Sequence, residues 1–407
     1  MTDTITVLAR ALLVLILGSP FAPAGTFQEE DQGHSDPPSG AHALAPRLCA
    51  TGNGLILSWL EPGPKEDHWQ LRFARFDGRG WSKASDPIID RDDLFVNWAD
   101  VPGVVEDAGG ALFAHWLQQS GPETYAYDVQ IARSTDDGRS WKRLGKLHDD
   151  ATRTEHGFVS YAASAGGLLA VWLDGRETVE TGGAMTLRAG LLGKSQGRSE
   201  LLDARVCDCC GTAAAWTDSG PIVVYRDRDE NEVRDIACVR RTDTGWTPPV
   251  TVHDDGWTIP GCPVNGPALA ARGKSVAVAW FTGAGAGQVR LAFSDDAGAN
   301  FSFPLTVHQG GDGTTPLGRV DLLLTDGGDA IVSWIAQHET GAELAVRRLR
   351  RNGAAGARVA VADISPSRQA GFPQLERFED DLILVWTDAS EGAGGLRSAR
   401  VPLKSLD

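Results

Sequence analysis

The chain has 407 residues, 42% of them hydrophobic, with 48 glycines, 13 tryptophans and a formal net charge of -16. That length and apolar share can build one large all-β domain or two ordinary ones, and so much glycine and tryptophan favours short strands and tight turns over long helices. The acidic balance, with no run of Lys or Arg, argues against a nucleic-acid partner.

At the start of the chain, Arg10 precedes the apolar run "ALLVLILG", and "APA" at residues 22–24 offers small residues for cleavage. Residues 1–24 therefore read as a secretory signal peptide. Asp3 is atypical of such a segment and leaves an uncleaved anchor as the alternative. The run is short for a bilayer span, and no later segment could make one. The expected location is periplasmic or secreted, with no membrane span after cleavage. Residues 25–44 are polar and rich in Pro, Gly and His, and read as a flexible lead-in to a domain over 45–407.

From there one pattern recurs. A short apolar run ends in an aromatic at Trp59, Trp116, Trp172, Tyr225, Trp280, Trp334 and Trp386, and successive differences of these positions run from 52 to 57. Regular spacing of this kind marks a repeat fold. Each aromatic run is preceded by a strand-like segment such as "GFVSYAAS" and followed by others such as "VQIARS" and "FPLTVH". Four-stranded units of about 50 residues match the blades of a β-propeller. Seven aromatic strands predict an all-β propeller of seven blades, with six as the alternative count. The last unit lacks an obvious fourth strand, so closure would need a strand borrowed from the N-terminal region.

Two turns, "STDDGRSW" (from Ser134) and "SDDAGANF" (from Ser294), fit S-x-D-x-G-x-x-[WF]. This pattern resembles the Asp-box, or BNR, repeat of the sialidase-like propellers. In both, the aspartate (Asp136, Asp296) can accept from turn amides and the glycine (Gly138, Gly298) permits the turn. The resemblance implies the fold and covers about residues 45–403. For activity it implies a sialidase-type glycoside hydrolase, which would use an arginine triad, a Tyr/Glu nucleophile pair and an acidic general acid. The chain departs from that set. The early Arg-Ile-Pro is absent, with only Arg47 of "APRLCA" loosely placed, and no tyrosine follows Tyr225. A non-catalytic carbohydrate or protein binding module is the other reading.

The propeller geometry gathers the unusual residues. Loops leading into first strands and loops leaving second strands share one face, and blades three to five supply most of the chemistry. "RVCDCCGT" carries Cys207, Cys209 and Cys210, and "GCPVNGP" carries Cys262 beside it. In an extended strand Cys207 and Cys209 would point one way and Cys210 the other. An even number of cysteines in an exported chain suggests disulfides, such as Cys262 with one of the cluster. The same residues with His156 could instead hold Cu or Zn, or one thiol could be reactive beside the nearby arginines. His148, His253 and His308 recur at one repeat position and read as structural, whereas His156 is unique. Cys238 reads as buried and Cys49 as lying in the first strand of blade one.

Arg176, Arg226, Arg228 and Arg234, with Arg319 and Asp321 at the channel, could clamp an anionic small molecule or glycan. A solvated salt-bridge network is the plainer alternative. If the protein is a two-carboxylate glycosidase, Asp100, Asp174 and Glu232 are the candidate catalytic residues.

Overall fold

The computed structural model describes residues 25–26, 36–193, 198–389 and 394–407. The expected signal peptide, residues 1–24, and residues 27–35 of the lead-in lie outside the described residues. The rest folds into seven sheets around one axis, a seven-bladed β-propeller, antiparallel but for Gly25–Thr26, which pair in parallel with Val359–Ala360 at the outer edge of blade six. Blade one runs Leu44–Thr51, Gly54–Pro62, Trp69–Phe76 and Ile89–Arg91 from the channel outward. The innermost strands of the next six are Gly103–Glu106, His156–Ser164, Ala213–Thr217, Ala268–Arg272, Thr315–Leu324 and Gln374–Phe378.

Second strands carry the core because both of their faces meet other blades. Trp59, Trp116, Trp172, Tyr225, Trp280 and Trp334 are all buried there. A buried indole must also place its N–H. Three do so on a side chain two residues on: Trp59 donates to Glu61 (2.7 Å), Trp116 to Gln118 (3.3 Å) and Trp172 to Asp174 (2.9 Å). Trp280 donates to Asp255, just past the outermost strand of the preceding blade, and Trp334 to His308 Nδ1, on the outermost strand of the preceding blade.

The two turns between third and fourth strands have matching hydrogen bonds. Ser134 and Ser294 accept from the amides of Gly138 and Gly298, and Asp136 and Asp296 accept from the amides of Ser140 and Asn300. Gly138 and Gly298 sit at φ 82 and 81, where a side chain would be strained.

Blade seven shows three strands, Gln374–Phe378, Asp381–Thr387 and Leu396–Pro402. Its outer edge is covered by residues 36–42, which lie within the expected lead-in. This segment is not a β-strand. It satisfies the edge with side chains: Ser398 N–H donates to Asp36 (3.0 Å), Leu396 N–H to Ser39 Oγ (3.0 Å), and Arg397 pairs with Asp36 (2.7 Å). His42 N–H donates to the Gly394 carbonyl. Ring closure thus comes from polar residues that no strand pattern reveals. The innermost strands of blades seven and one then meet, with Leu48 N–H donating to Gln374.

Replacing both Asp36 and Ser39 with Ala should lower the unfolding free energy by about 1–3 kcal/mol, read from urea denaturation. An unchanged midpoint would show that the closure does not depend on these bonds.

Candidate functional site

All seven innermost strands or their lead-in loops line one channel cavity of about 300 Å³, among them Arg47, Asp100, Tyr161, Asp321 and Glu376. Its chemistry begins at Asp100, in the loop before blade two. Asp100 is 1% exposed and accepts from Phe158 N–H (2.8 Å) and from the Tyr127 hydroxyl (2.8 Å). Tyr127, at the start of the third strand of blade two, also lies 3.0 Å from Glu155 Oε1. The chain makes room for this: a Cβ on Gly157 would fall 1.8 Å from Asp100 Oδ2, and Phe158 adopts φ 54 at a break in the strand register. Burial pushes the Asp100 carboxyl up to about 7. Burial, then the Asp100 charge, pushes Glu155 up to about 8.

In the same channel, burial raises Asp321 to about 6 and Glu376 to about 7. Asp321 accepts the amides of Leu322 and Leu375, which ties blade six to blade seven. Arg47 donates to the Val159 carbonyl (2.9 Å) and lies 5.5 Å from the Tyr161 ring centroid; burial lowers its pKa. Glu155, Tyr127 and Arg47 were not among the residues predicted for the site. The glycine at 157 was the available signal, because a glycine opening a strand often marks a close approach.

The expected Cys–His ligand set does not assemble. Cys209 forms a disulfide with Cys262, and His156 lies in a separate cluster. Residues 207–212 form a turn ahead of the Ala213–Thr217 strand. The expected alternation of side chains therefore fails: the turn brings Cys207 and Cys210 together, with sulfurs 3.1 Å apart, and aims Cys209 at the next blade. The sulfurs of Cys207, Cys209 and Cys210 all lie within 4.8 Å of one another. The proton shared with Cys210, aided by Arg234 and Arg226, pulls Cys207 down to about 6, while burial pushes Cys210 up. Cys238 is buried and Cys49 lies on the first strand of blade one.

His156 stacks on His148 with ring centroids 3.6 Å apart. Asp150 bonds both rings, at 2.6 Å to His148 and 3.1 Å to His156. Burial would raise Asp150, but those two bonds and Thr152 hold it well below the carboxylate range. The network stitches blade two to blade three, so His148 is part of the setting of His156. Asp174 belongs to it too. Its oxygens accept from Trp172 and from the Arg176 fork, 2.8 Å at both Nε and NH2. Burial would raise its pKa, but these partners lower it. Asp174 is thus held ionised as a structural acceptor, which argues against a general acid.

The proposed arginine clamp divides among several partners. Arg226 is buried and donates to the carbonyls of Asn265, Arg234 and Phe281, bracing blade four on blade five. Arg319 donates to Ser367 and Gly371 carbonyls with its guanidinium 5.3 Å from the Trp98 ring centroid, and burial lowers it to about 10. Arg176 pairs with Asp174 and Asp149. Arg228 and Arg234 both grip Glu232, at 2.8 and 2.7 Å, and Arg228 also reaches Asp208. Those bonds, Arg228 first, pull Glu232 down to about 2, which again suits an acceptor and not an acid. Arg234 NH1 lies 3.2 Å from Cys207 Sγ, so this pair serves the cysteine site.

No family model matches the chain, and no curated protein does. Among solved structures, the GH93 α-L-arabinofuranosidase of Fusarium graminearum is 17% identical at TM-score 0.48, covering 78% of this chain and 95% of its own. The Penicillium chrysogenum α-L-arabinanase is 16% identical at TM-score 0.47, covering 91% and 97%. A Hadza microbial sialidase is 17% identical at TM-score 0.44, covering 73% and 64%. In fold this chain is a seven-bladed β-propeller.

The channel acids set a pH dependence. Unfolded, Asp100, Asp321, Glu376 and Glu155 ionise near their ordinary values of 3.8 and 4.5; folded, they keep their protons to about 6 to 8. The folded chain binds more protons in that window, so stability falls as pH rises through it, by at most about 1.4 kcal/mol per pH unit per group. His148 adds in the same direction: burial would lower its pKa, but Asp128 and Asp150 raise it. Buried His115, whose pKa burial lowers, and Cys207 act in the opposite direction, so the acid is isolated by difference: between about pH 5 and about pH 8 the thermal midpoint of Asp100→Asn should gain on that of the wild type. A midpoint difference between the two proteins that stays constant over this range would contradict the assignment.

Proposed function

We propose that this chain is a periplasmic or secreted propeller that binds an anionic small molecule or glycan at the mouth of its channel, above Asp100 and Arg47. The observation that supports this is the Asp100–Tyr127–Glu155 chain. One phenol has a single proton to donate, so two bonds to two carboxyls require a proton on one of them. Burial raises both carboxyls, so one of the two keeps it, and the phenol bridges them at 2.8 Å from Asp100 and 3.0 Å from Glu155. The pair carries one proton near neutral pH and offers a ligand both an acceptor at Asp100 and an exchangeable proton. Arg47 supplies the positive charge in the same cavity.

Hydrolysis of a glycosidic bond is the second reading, favoured by the same pair. A carboxylate and a protonated carboxyl bridged by one phenol can relay a proton to a leaving group, the general-acid half of such a reaction. Asp100 lines the cavity and would act on the substrate, with Tyr127 passing the proton from Glu155. Tyr127 is fully buried, and burial holds its phenol well above the usual range, so it does not take the nucleophile's part.

The test is a panel of sialosides, aryl glycosides and sugar acids, followed by calorimetry and by product release. Binding should weaken about tenfold or more in Asp100→Asn, as expected for loss of a charge-assisted hydrogen bond, and stay near wild type in Lys83→Ala, far from the channel. Turnover that drops about 100-fold or more in both Asp100→Asn and Glu155→Gln would favour hydrolysis. A panel in which nothing binds, or an Asp100→Asn protein that binds as the wild type does, would sink both readings. Export is checked by the N-terminus of the exported protein, expected at Gly25.

A further inference from the structure

Four sulfurs sit in two layers on the channel face. Cys207 and Cys210 are each 1% exposed and lie 3.1 Å apart as free thiols. Cys209 and Cys262 form a disulfide, and Cys262 is solvent-exposed. Cys209 joins the layers, because its sulfur is within 4.8 Å of both buried ones. The Arg234 guanidinium, clamped by Glu232, lies 3.2 Å from Cys207 Sγ. A fixed cation beside one thiol of a close pair favours its thiolate, which is the attacking species in disulfide exchange. A structural disulfide needs neither a buried dithiol behind it nor a guanidinium aimed at that dithiol.

We propose that these four cysteines form a two-couple thiol–disulfide relay, in which the buried Cys207/Cys210 dithiol sends its electron pair through the Cys209–Cys262 disulfide to an external disulfide. In the first exchange Cys207 thiolate attacks Cys209 Sγ. The Cys207–Cys209 bond forms, the Cys209–Cys262 bond breaks, and Cys262 leaves as thiolate. Cys210 then attacks Cys207 Sγ and closes a Cys207–Cys210 disulfide; Cys209 departs with the bonding pair and takes the proton of Cys210. Two electrons have moved outward with no other reagent. At the surface Cys262 thiolate attacks the external disulfide and expels one of its thiolates. Cys209 then attacks Cys262, remaking the original disulfide and releasing the second thiol with the proton. The external disulfide ends as one thiolate and one thiol, and Cys207 and Cys210 end oxidised.

Two variants that lack the same disulfide separate this relay from a merely structural role. The full-length chain is isolated without reductant and treated with oxidised glutathione, and each cysteine is followed by differential alkylation and peptide mapping. In the wild type Cys207 and Cys210 should become disulfide-linked. Cys262→Ser should still oxidise them, because Cys209 can accept glutathione and hand it to Cys207. Cys209→Ser should trap glutathione on Cys262 and oxidise the buried pair at least about tenfold more slowly, since the stepping stone is gone. Partial unfolding of either variant would speed oxidation, which is the opposite sign. The relay is overturned if Cys207 and Cys210 stay reduced in the wild type, if Cys209→Ser oxidises them at the rate of Cys262→Ser, or if the isolated protein holds stoichiometric Cu or Zn on these sulfurs.

Discussion

The structure depends on burying one large aromatic at the same place in every blade while satisfying its polar atom. A sheet packed on both faces needs a side chain that fills the space between blades, and each Trp removes roughly 150–250 Å² from water, about 4–6 kcal/mol of gross transfer free energy. The indole N–H, taken into that core, must meet an acceptor or cost about 1–3 kcal/mol. Glu61, Gln118 and Asp174 are those acceptors in blades one to three. Asp174 is therefore the third copy of a structural device, Trp-Leu followed by an acceptor, and its burial and charge follow from that role.

A second constraint acts at the channel mouth, where the inner strands must bend to close a ring. At two blade junctions the bend is held in the same way. Asp100 accepts from Phe158 N–H over Gly157, and Asn265 accepts from Arg319 N–H over Gly318. Phe158 and Arg319 share φ 54, and a Cβ on either glycine would strike the accepting side chain. The two sites part company in what surrounds them. Asn265 is neutral and also donates to the Leu317 carbonyl, which completes a structural brace. Asp100 instead meets Tyr127 and, through it, Glu155, so the same brace becomes a proton-sharing chain beside a cavity.

Sulfur chemistry follows from the next junction. The turn that leads into blade four is too tight to run as a strand, so positions three apart meet. Cys207 and Cys210 are left as a buried pair, and Cys209 reaches across to the neighbouring blade. The arginines nearby do not form one ligand clamp. Each is drawn to the closest uncompensated acceptor, backbone carbonyls for Arg226 and Arg319, carboxylates for Arg176 and Arg228. A guanidinium taken out of water is stable only with such partners.

By itself the sequence determined the repeat, the seven aromatic strands, the four-stranded blade and the convergence of Cys207, Cys209, Cys210 and Cys262 on one face. These follow from periodicity, which is a property of order along the chain. The Trp-Leu-acceptor repeat was also legible and would have set Asp174 apart from the catalytic candidates. Tertiary structure alone decided which cysteine pairs with which, that Glu155 and Asp100 share a phenol, that Asp36 and Ser39 close the ring, and that Glu232 is gripped by two arginines. Each of these is a contact between residues from different loops or blades. Its energy depends on distances of a few ångströms and on exclusion from water, and neither is encoded in the spacing of residues along one strand.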